Sequence, residues 1–219
     1  MRRKDLARII DLTLVRPNAT ETEIRKLCAE AVEHQFYAVA VNPTWTKLCS
    51  QLLKNTLVKV DVCVGFPLGA TTPKTKISET EEAISNGASE IDFVINIGAL
   101  KSGYTAFVER EIIAIVKCAV NTPVKVILET SYLTDEEKIL VCKMALNSGA
   151  SFVKTCTGFG LNGATVEDVR LMRLTVGNAI GVKAAGGIRT YADAITLIQA
   201  GANRIGTSAG VKIIQEAPE

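Results

Sequence analysis

Two lysines stand where a packed strand should carry an apolar side chain. Lys154 interrupts Phe152-Val153-Lys154-Thr155-Cys156, and Lys183 interrupts Gly181-Val182-Lys183-Ala184-Ala185. Brought face to face in a partly desolvated pocket, like charges depress a lysine pKa from its ordinary value of about 10.4. A neutral amine is the form that attacks a carbonyl to give a Schiff base. Asp92, in Glu90-Ile91-Asp92-Phe93, would bring a carboxylate to the same cavity. Three roles are open to it: balancing the lysine charge, relaying protons through a water, or pairing with a lysine for structure alone.

Glycine-rich turns follow two of the later apolar runs. Gly186-Gly187-Ile188 comes after the Lys183 run, and Gly206-Thr207-Ser208 closes the chain's last apolar run. Such turns, with a helix N-terminus behind them, bind phosphate through backbone N–H groups. Thr157-Gly158, just after Lys154, would add a hydroxyl. Glycine in these turns also has an ordinary backbone reason, so each signal is weak singly. Asp11 and Thr13 alternate on one face of the first apolar run, and Glu129 ends another. For each of the three, a hydrogen-bonded strand terminus is the competing reading. Cys156, two residues past Lys154, shares its strand face; a small pocket-wall residue is expected there rather than an activated nucleophile.

The elements that must hold these residues alternate along the whole chain. Apolar, β-branched runs begin near Asp11, Ala38, Val58, Ile91, Val124, Phe152, Val182 and Arg204. Helical spacing recurs over Thr22–Glu33, Thr44–Lys54, Phe107–Ala119, Asp135–Leu146, Val166–Leu174 and Tyr191–Ala200. A short last helix is read at about Ala209–Glu216. Thr20-x-x-Glu23 and Thr134-x-x-Glu137 fit the capping box. Eight βα units predict a single (β/α)8 TIM barrel over 1–219, an α/β fold with a short N-terminal helix; an open doubly wound sheet is the alternative.

An internal repeat sharpens the placement. Gly87-Ala88-Ser89-Glu90-Ile91-Asp92, Gly149-Ala150-Ser151-Phe152-Val153-Lys154 and Gly201-Ala202-Asn203-Arg204-Ile205-Gly206 share one plan. Each opens with the glycine that ends a helix in the left-handed region. Asp92, Lys154 and Gly206 then occupy equivalent stations on strands 4, 6 and 8. Alternate barrel strands supply each interior layer, so Asp92 and Lys154 should point inward at similar height. The packing rule would put Val, Ile or Leu at such stations, because a buried charge is costly unless paired.

Composition removes other classes. The 219 residues are 47% hydrophobic, and 25 basic against 23 acidic side chains leave a net charge of +2. Without a basic block, nucleic-acid binding is disfavoured. The one histidine, His34, reads as a helix end and cannot build a zinc site or a HExxH protease. The six cysteines form no CxxC pair and read as small buried hydrophobes of a reducing cytoplasm. The apolar start Leu6–Ile10 is broken by Asp11, so no signal peptide is expected, and no membrane span is expected.

These segments resemble deoxyribose-phosphate aldolase, the DeoC-type class I aldolase family. The resemblance runs nearly the whole length. It is carried by Ile10–Leu14, Val41-Asn42-Pro43, Gly65–Thr71, Glu90-Ile91-Asp92, Phe152–Phe159, Val182–Thr190 and Arg204–Ser208. It implies reversible cleavage of 2-deoxy-D-ribose 5-phosphate to D-glyceraldehyde 3-phosphate and acetaldehyde, with no metal and no organic cofactor. Lys154 matches the Schiff-base lysine, Lys183 the second lysine and Asp92 the carboxylate of the proton relay. The Gly186-Gly187 and Gly206-Thr207-Ser208 turns match the phosphate-binding region. The sequence departs from the family at Leu12, where many members have His, and at Ala40, where a cysteine is common. Cys156 stands where Ser is usual, which predicts sensitivity to aldehydes or oxidants. A longer tail bearing a terminal Tyr, found in some members, is not present.

Two other readings compete: another phosphosugar barrel enzyme, transaldolase-like or an epimerase, and a barrel that binds a sugar phosphate without turning it over. The expected partner is a small phosphorylated sugar. A homodimer or homotetramer is the prior for barrels of this size.

Overall fold

The computed structural model describes residues 1–219. Eight parallel strands close into a barrel in sequence order: β1 (Ile10–Leu14), β2 (Ala38–Val41), β3 (Lys59–Val64), β4 (Glu90–Val94), β5 (Val124–Ile127), β6 (Phe152–Lys154), β7 (Gly181–Ala185) and β8 (Arg204–Thr207). Each starts within one residue of the position read from sequence. The helices are α1 (Arg3–Ala7), α2 (Glu21–Glu33), α3 (Thr46–Leu52), α4 (Pro73–Ser85), α5 (Ile97–Lys101), α6 (Thr105–Cys118), α7 (Asp135–Asn147), α8 (Val166–Val176), α9 (Tyr191–Gln199) and α10 (Gly210–Glu216). No helix is long and apolar enough to cross a membrane.

Local signals set the helix starts. Thr20 caps α2 with Glu23 returning the bond, and Thr134 caps α7 with Glu137 in the same way. A third box, Thr190 with Asp193, opens α9. Each satisfies backbone N–H groups that have no partner inside the helix. The glycines of the internal repeat, Gly87, Gly149 and Gly201, all have positive φ. His34 is the C-cap of α2, as read from sequence.

Two helices escape the sequence reading. The buried side chains of α4 are Lys76, Thr80 and Ala83. That is helical spacing, but it is not an apolar stripe. The other, α5, is only five residues long.

Packing divides the molecule in a way the usual barrel rule does not predict. Strand residues facing the helices are apolar: Ile10 and Leu12, Val60, Val62 and Val64, Ile91 and Phe93, Val124 and Val126, Val153, Val182, and Ile205 all join one core cluster with the helices. The alternate positions carry charge. Asp11, Asp61, Glu90, Asp92, Lys125, Lys154, Lys183 and Arg204 are all buried. The barrel axis is therefore occupied by ion pairs, with small residues such as Ala38 and Ala40 between them.

Candidate active site

Register brings the chemistry-bearing residues together. Lys154 lies beside Lys183 across β6 and β7, Asp92 beside Lys125 across β4 and β5, and Ala185 beside Gly206 across β7 and β8. The Nζ atoms of Lys154 and Lys183 lie 2.7 and 2.8 Å from one oxygen, Oδ2 of Asp92. The sequence expectation that Asp92 and Lys154 point inward at similar height holds.

The expectation of two mutually repelling ammonium groups needs correction. Burial works to lower the Lys183 pKa, but Asp11 at 2.6 Å, Asp61 at 2.7 Å and Asp92 at 2.8 Å surround its Nζ. Their charges hold it well above the ordinary lysine value. Lys183 is thus a fixed ammonium ion. Burial opposes ionisation of Asp92, yet Lys125, Lys154 and Lys183 keep it well below the ordinary carboxylate range. Asp11 is lowered against the effect of burial in the same way, by Lys183 and Arg204.

The network continues down the axis. Lys125 Nζ meets Asp61 at 2.8 Å, Glu90 at 2.7 Å and Asp92 at 2.8 Å. Arg204 Nη1 bridges Asp11 at 3.0 Å and Glu90 at 3.1 Å, while its guanidinium stacks 3.4 Å from the Tyr37 ring centre. Asp11, Asp61 and Glu90 have oxygens within 4.8 Å of one another, a spacing a metal could use. Lys125, Lys183 and Arg204 already stand among those oxygens, and a metal would have to displace them.

Above this network a cavity of about 380 Å³ opens at the C-terminal ends of the strands. That is the size and the end of the barrel expected for a small-molecule site. Lys154 lines it; Lys183 and Asp92 do not. Of the three, only Lys154 can touch a bound molecule. Thr157, Gly158, Gly186, Gly187, Gly206, Thr207 and Ser208 all line the same cavity, as does Thr13.

The turns are held by specific bonds. Thr207 donates its hydroxyl to Ile188 O at 2.7 Å and accepts from Ala209 N at 2.9 Å, tying the β7 and β8 loops together. Gly186 has φ +94, a conformation side chains resist. At Gly206 a Cβ would lie 3.0 Å from Lys183 Cε, so glycine leaves room for the lysine stem.

The supporting candidates divide. Asp11 points inward and pairs with Lys183. Thr13 donates to Asp11 O at 3.0 Å. Glu129 lies just beyond β5 with φ +55. It is buried, and its Oε2 accepts from Thr157 N at 3.0 Å and from the Thr157 hydroxyl. Cys156 is a correction: β6 ends at Lys154, and the thiol is fully buried behind the cavity wall, 3.4 Å from the Thr130 hydroxyl. Burial pushes it up to about 11. Cys63 lines the cavity instead, with its thiol pushed up to about 12 by burial.

Sequence reasoning missed Asp61, Glu90, Lys125 and Arg204. It also missed Arg16, Phe66, Phe159 and Arg189 on the cavity wall. The signal that marked Lys154, a charge interrupting an apolar strand, was available for Asp61 and Lys125, whereas Arg204 opens its strand. The Phe66 and Phe159 rings meet edge to face at 5.5 Å, and Lys154 Nζ lies 6.0 Å from the Phe66 ring centre.

Residues 6–216 match the sequence profile of the DeoC/LacD family aldolases. The chain belongs to this family. It is 55% identical to the deoxyribose-phosphate aldolase of Thermococcus kodakarensis over the full length of both chains. It is 56% identical to that of Caldanaerobacter subterraneus subsp. tengcongensis, over 97% of this chain and 93% of that one. The tetrameric deoxyribose phosphate aldolase structure from Aeropyrum pernix superposes with a TM-score of 0.91 at 36% identity, covering 97% of this chain and 91% of that one. Within the DeoC/LacD family aldolases, the lysine pair, the carboxylate and the two glycine turns of this chain therefore sit in a closed barrel of the family's fold.

Proposed function

We propose that this enzyme is a class I aldolase that reversibly cleaves 2-deoxy-D-ribose 5-phosphate to D-glyceraldehyde 3-phosphate and acetaldehyde. The observation that carries the mechanism is the position of Lys154. It alone of the buried trio reaches the cavity, and its nitrogen rests on Asp92 with the Lys183 ammonium behind. The identity of the relatives carries the substrate.

Lys154 first loses a proton to solvent in the cavity and attacks the aldehyde carbon of the open-chain sugar to give a carbinolamine. A proton from solvent on the carbinolamine hydroxyl lets it leave as water, and a protonated imine remains. Asp92 takes the proton of the C3 hydroxyl through a water as the bond between C2 and C3 breaks; the electron pair flows into the imine, glyceraldehyde 3-phosphate leaves, and an enamine remains. Return of that proton from Asp92 to C2 through the water, then hydrolysis of the imine, release acetaldehyde and the free lysine. The fixed positive charge of Lys183 lies on the same Asp92 oxygen and holds that carboxylate ionised. The iminium charge is balanced by Asp92. The phosphate sits among the Gly186-Gly187 and Gly206–Ser208 turns, with Arg16 and Arg189 supplying positive charge from the same wall.

Two further expectations accompany this reading. The tetrameric relative supports a homo-oligomer. The six unpaired thiols support a reducing, cytoplasmic setting. Borohydride trapping tests the mechanism. Reduction in the presence of acetaldehyde should add mass to Lys154 and leave Lys154→Ala unlabelled. An adduct on Lys183 would reverse the two lysine roles. No adduct at all, with sugar-phosphate binding intact, would exclude the imine route.

A further inference from the structure

Asp61 is a buried carboxylate that the catalytic sequence above does not use. It sits on β3 one layer below Cys63, which is paired in register with Asp92. Its Oδ2 lies 2.7 Å from Lys183 Nζ and its Oδ1 2.8 Å from Lys125 Nζ. Together with two contacts already described, this makes an unbroken chain: Asp61, Lys183, Asp92, Lys154, with steps of 2.7, 2.8 and 2.7 Å.

Counting charge shows what Asp61 can do. The axis holds four carboxylates, Asp11, Asp61, Glu90 and Asp92, and four cations, Lys125, Lys154, Lys183 and Arg204. Fully ionised, the set is neutral. Loss of a proton from Lys154 to solvent leaves one net negative charge on a buried cluster, a costly state. The iminium restores balance. The cluster is thus arranged to favour a cation at Lys154, and the number of its carboxylates governs how strongly.

We propose that Asp61 is a positioning residue for the aldol chemistry: shared between Lys183 and Lys125, it fixes Lys183 as an ammonium ion and sets the pH at which Lys154 becomes a free amine. It touches no substrate, because it does not reach the cavity. The groups facing it are Lys183 from β7, Lys125 from β5, Asp92 and Glu90 from β4 and Asp11 from β1, with Arg204 of β8 beyond them and Cys63 above it on its own strand. Among the carboxylates, Asp61 is the one that burial and the Asp92 charge push up, to about 6. Above that pH it is ionised and acts on both lysines.

The inference rests on the imine reading, so trapping on Lys154 in the wild type is established first. Without an adduct there, both fail together and visibly before any variant is made. The test is then the pH profile of kcat/KM for Asp61→Asn. Removing one negative charge should move the acid limb about one unit lower, with the adduct on Lys154 retained. Asp61→Glu should restore the wild-type limb. A lower plateau with the limb unmoved would mean a purely structural role and overturn the proposal. Should Asp61→Asn not fold, lysine labelled with 13C at Cε answers in the wild type. Lys183 should keep its ammonium shift from pH 7 to pH 10, and an amine shift in that range would overturn the proposal.

Discussion

Lys154 and Lys183 are joined through a single atom: both nitrogens rest on Asp92 Oδ2, 2.7 and 2.8 Å away. Their partners otherwise differ. Lys183 also contacts Asp11 and Asp61, whereas Asp92 is the one carboxylate in contact with Lys154. Asp92→Asn should therefore strike Lys154 harder. It removes the carboxylate that relays the C3 hydroxyl proton and balances the iminium, a role worth about 10²-fold or more. The expected outcome is a kcat lower by at least about 100-fold with slowed borohydride trapping. A kcat within a few-fold of wild type would exclude Asp92 from the proton path.

Glu129 gives a contrasting case. Its carboxylate accepts both the N–H and the hydroxyl of Thr157, and it does not line the cavity. Glu129→Gln weakens a charge-assisted pair of bonds, worth roughly tenfold in positioning. KM for the phosphorylated sugar should rise by about that factor while the pH profile stays in place. Steady-state kinetics against pH separates this from an acid–base role, which would move the profile.

The thiols define an alkaline limit. Burial raises Cys156 to about 11 and Cys63 and Cys142 to about 12, from an unfolded value of 9.0. The folded state holds these protons more tightly than the unfolded chain does. Their contribution to stability is complete below pH 9 and is lost as pH rises through 11 and 12. Urea midpoints should fall from pH 9 upward, and Cys142→Ala should make that fall shallower. In native protein at pH 8, iodoacetamide should modify the partly exposed Cys118 before the buried thiols. Cys156→Ser should leave aldehyde tolerance unchanged, against the expectation from sequence.

How far the sequence carries depends on which physical signal a residue leaves. Strands were legible because one face packs against helices in an apolar cluster, and Gly87, Gly149 and Gly201 announce three of them. Lys154, Lys183 and Asp92 were legible because a charge inside a closed barrel must be paired or used. The same logic applies to Asp61 and Lys125, but Asp61 meets Lys125 and Lys183 across the barrel from non-neighbouring strands, and only the closed register shows that they meet. The helix at Pro73–Ser85 was invisible because its inner face is Lys76 and Thr80. Arg16 and Arg189 reach the cavity from loops, where no periodicity marks an inward residue.

That hidden helix also supplies a structural device for the site. Lys76 is fully buried, its Nζ 2.8 Å from Glu111 and 2.8 Å from Val94 O at the end of β4. Glu111 in turn accepts from Asn96 N at 3.0 Å. The pair thus pins the strand end two residues after Asp92. Breaking a buried pair leaves an uncompensated charge, at a cost of about 3–5 kcal/mol. Glu111→Gln should lower the unfolding free energy by roughly that amount in urea melts. Replacing both partners removes the stranded charge, so Lys76→Met with Glu111→Leu should recover much of the loss. If the double variant were instead as unstable as the sum of the two single ones, the bonds to Val94 O and Asn96 N would carry the stability and not the ion pair.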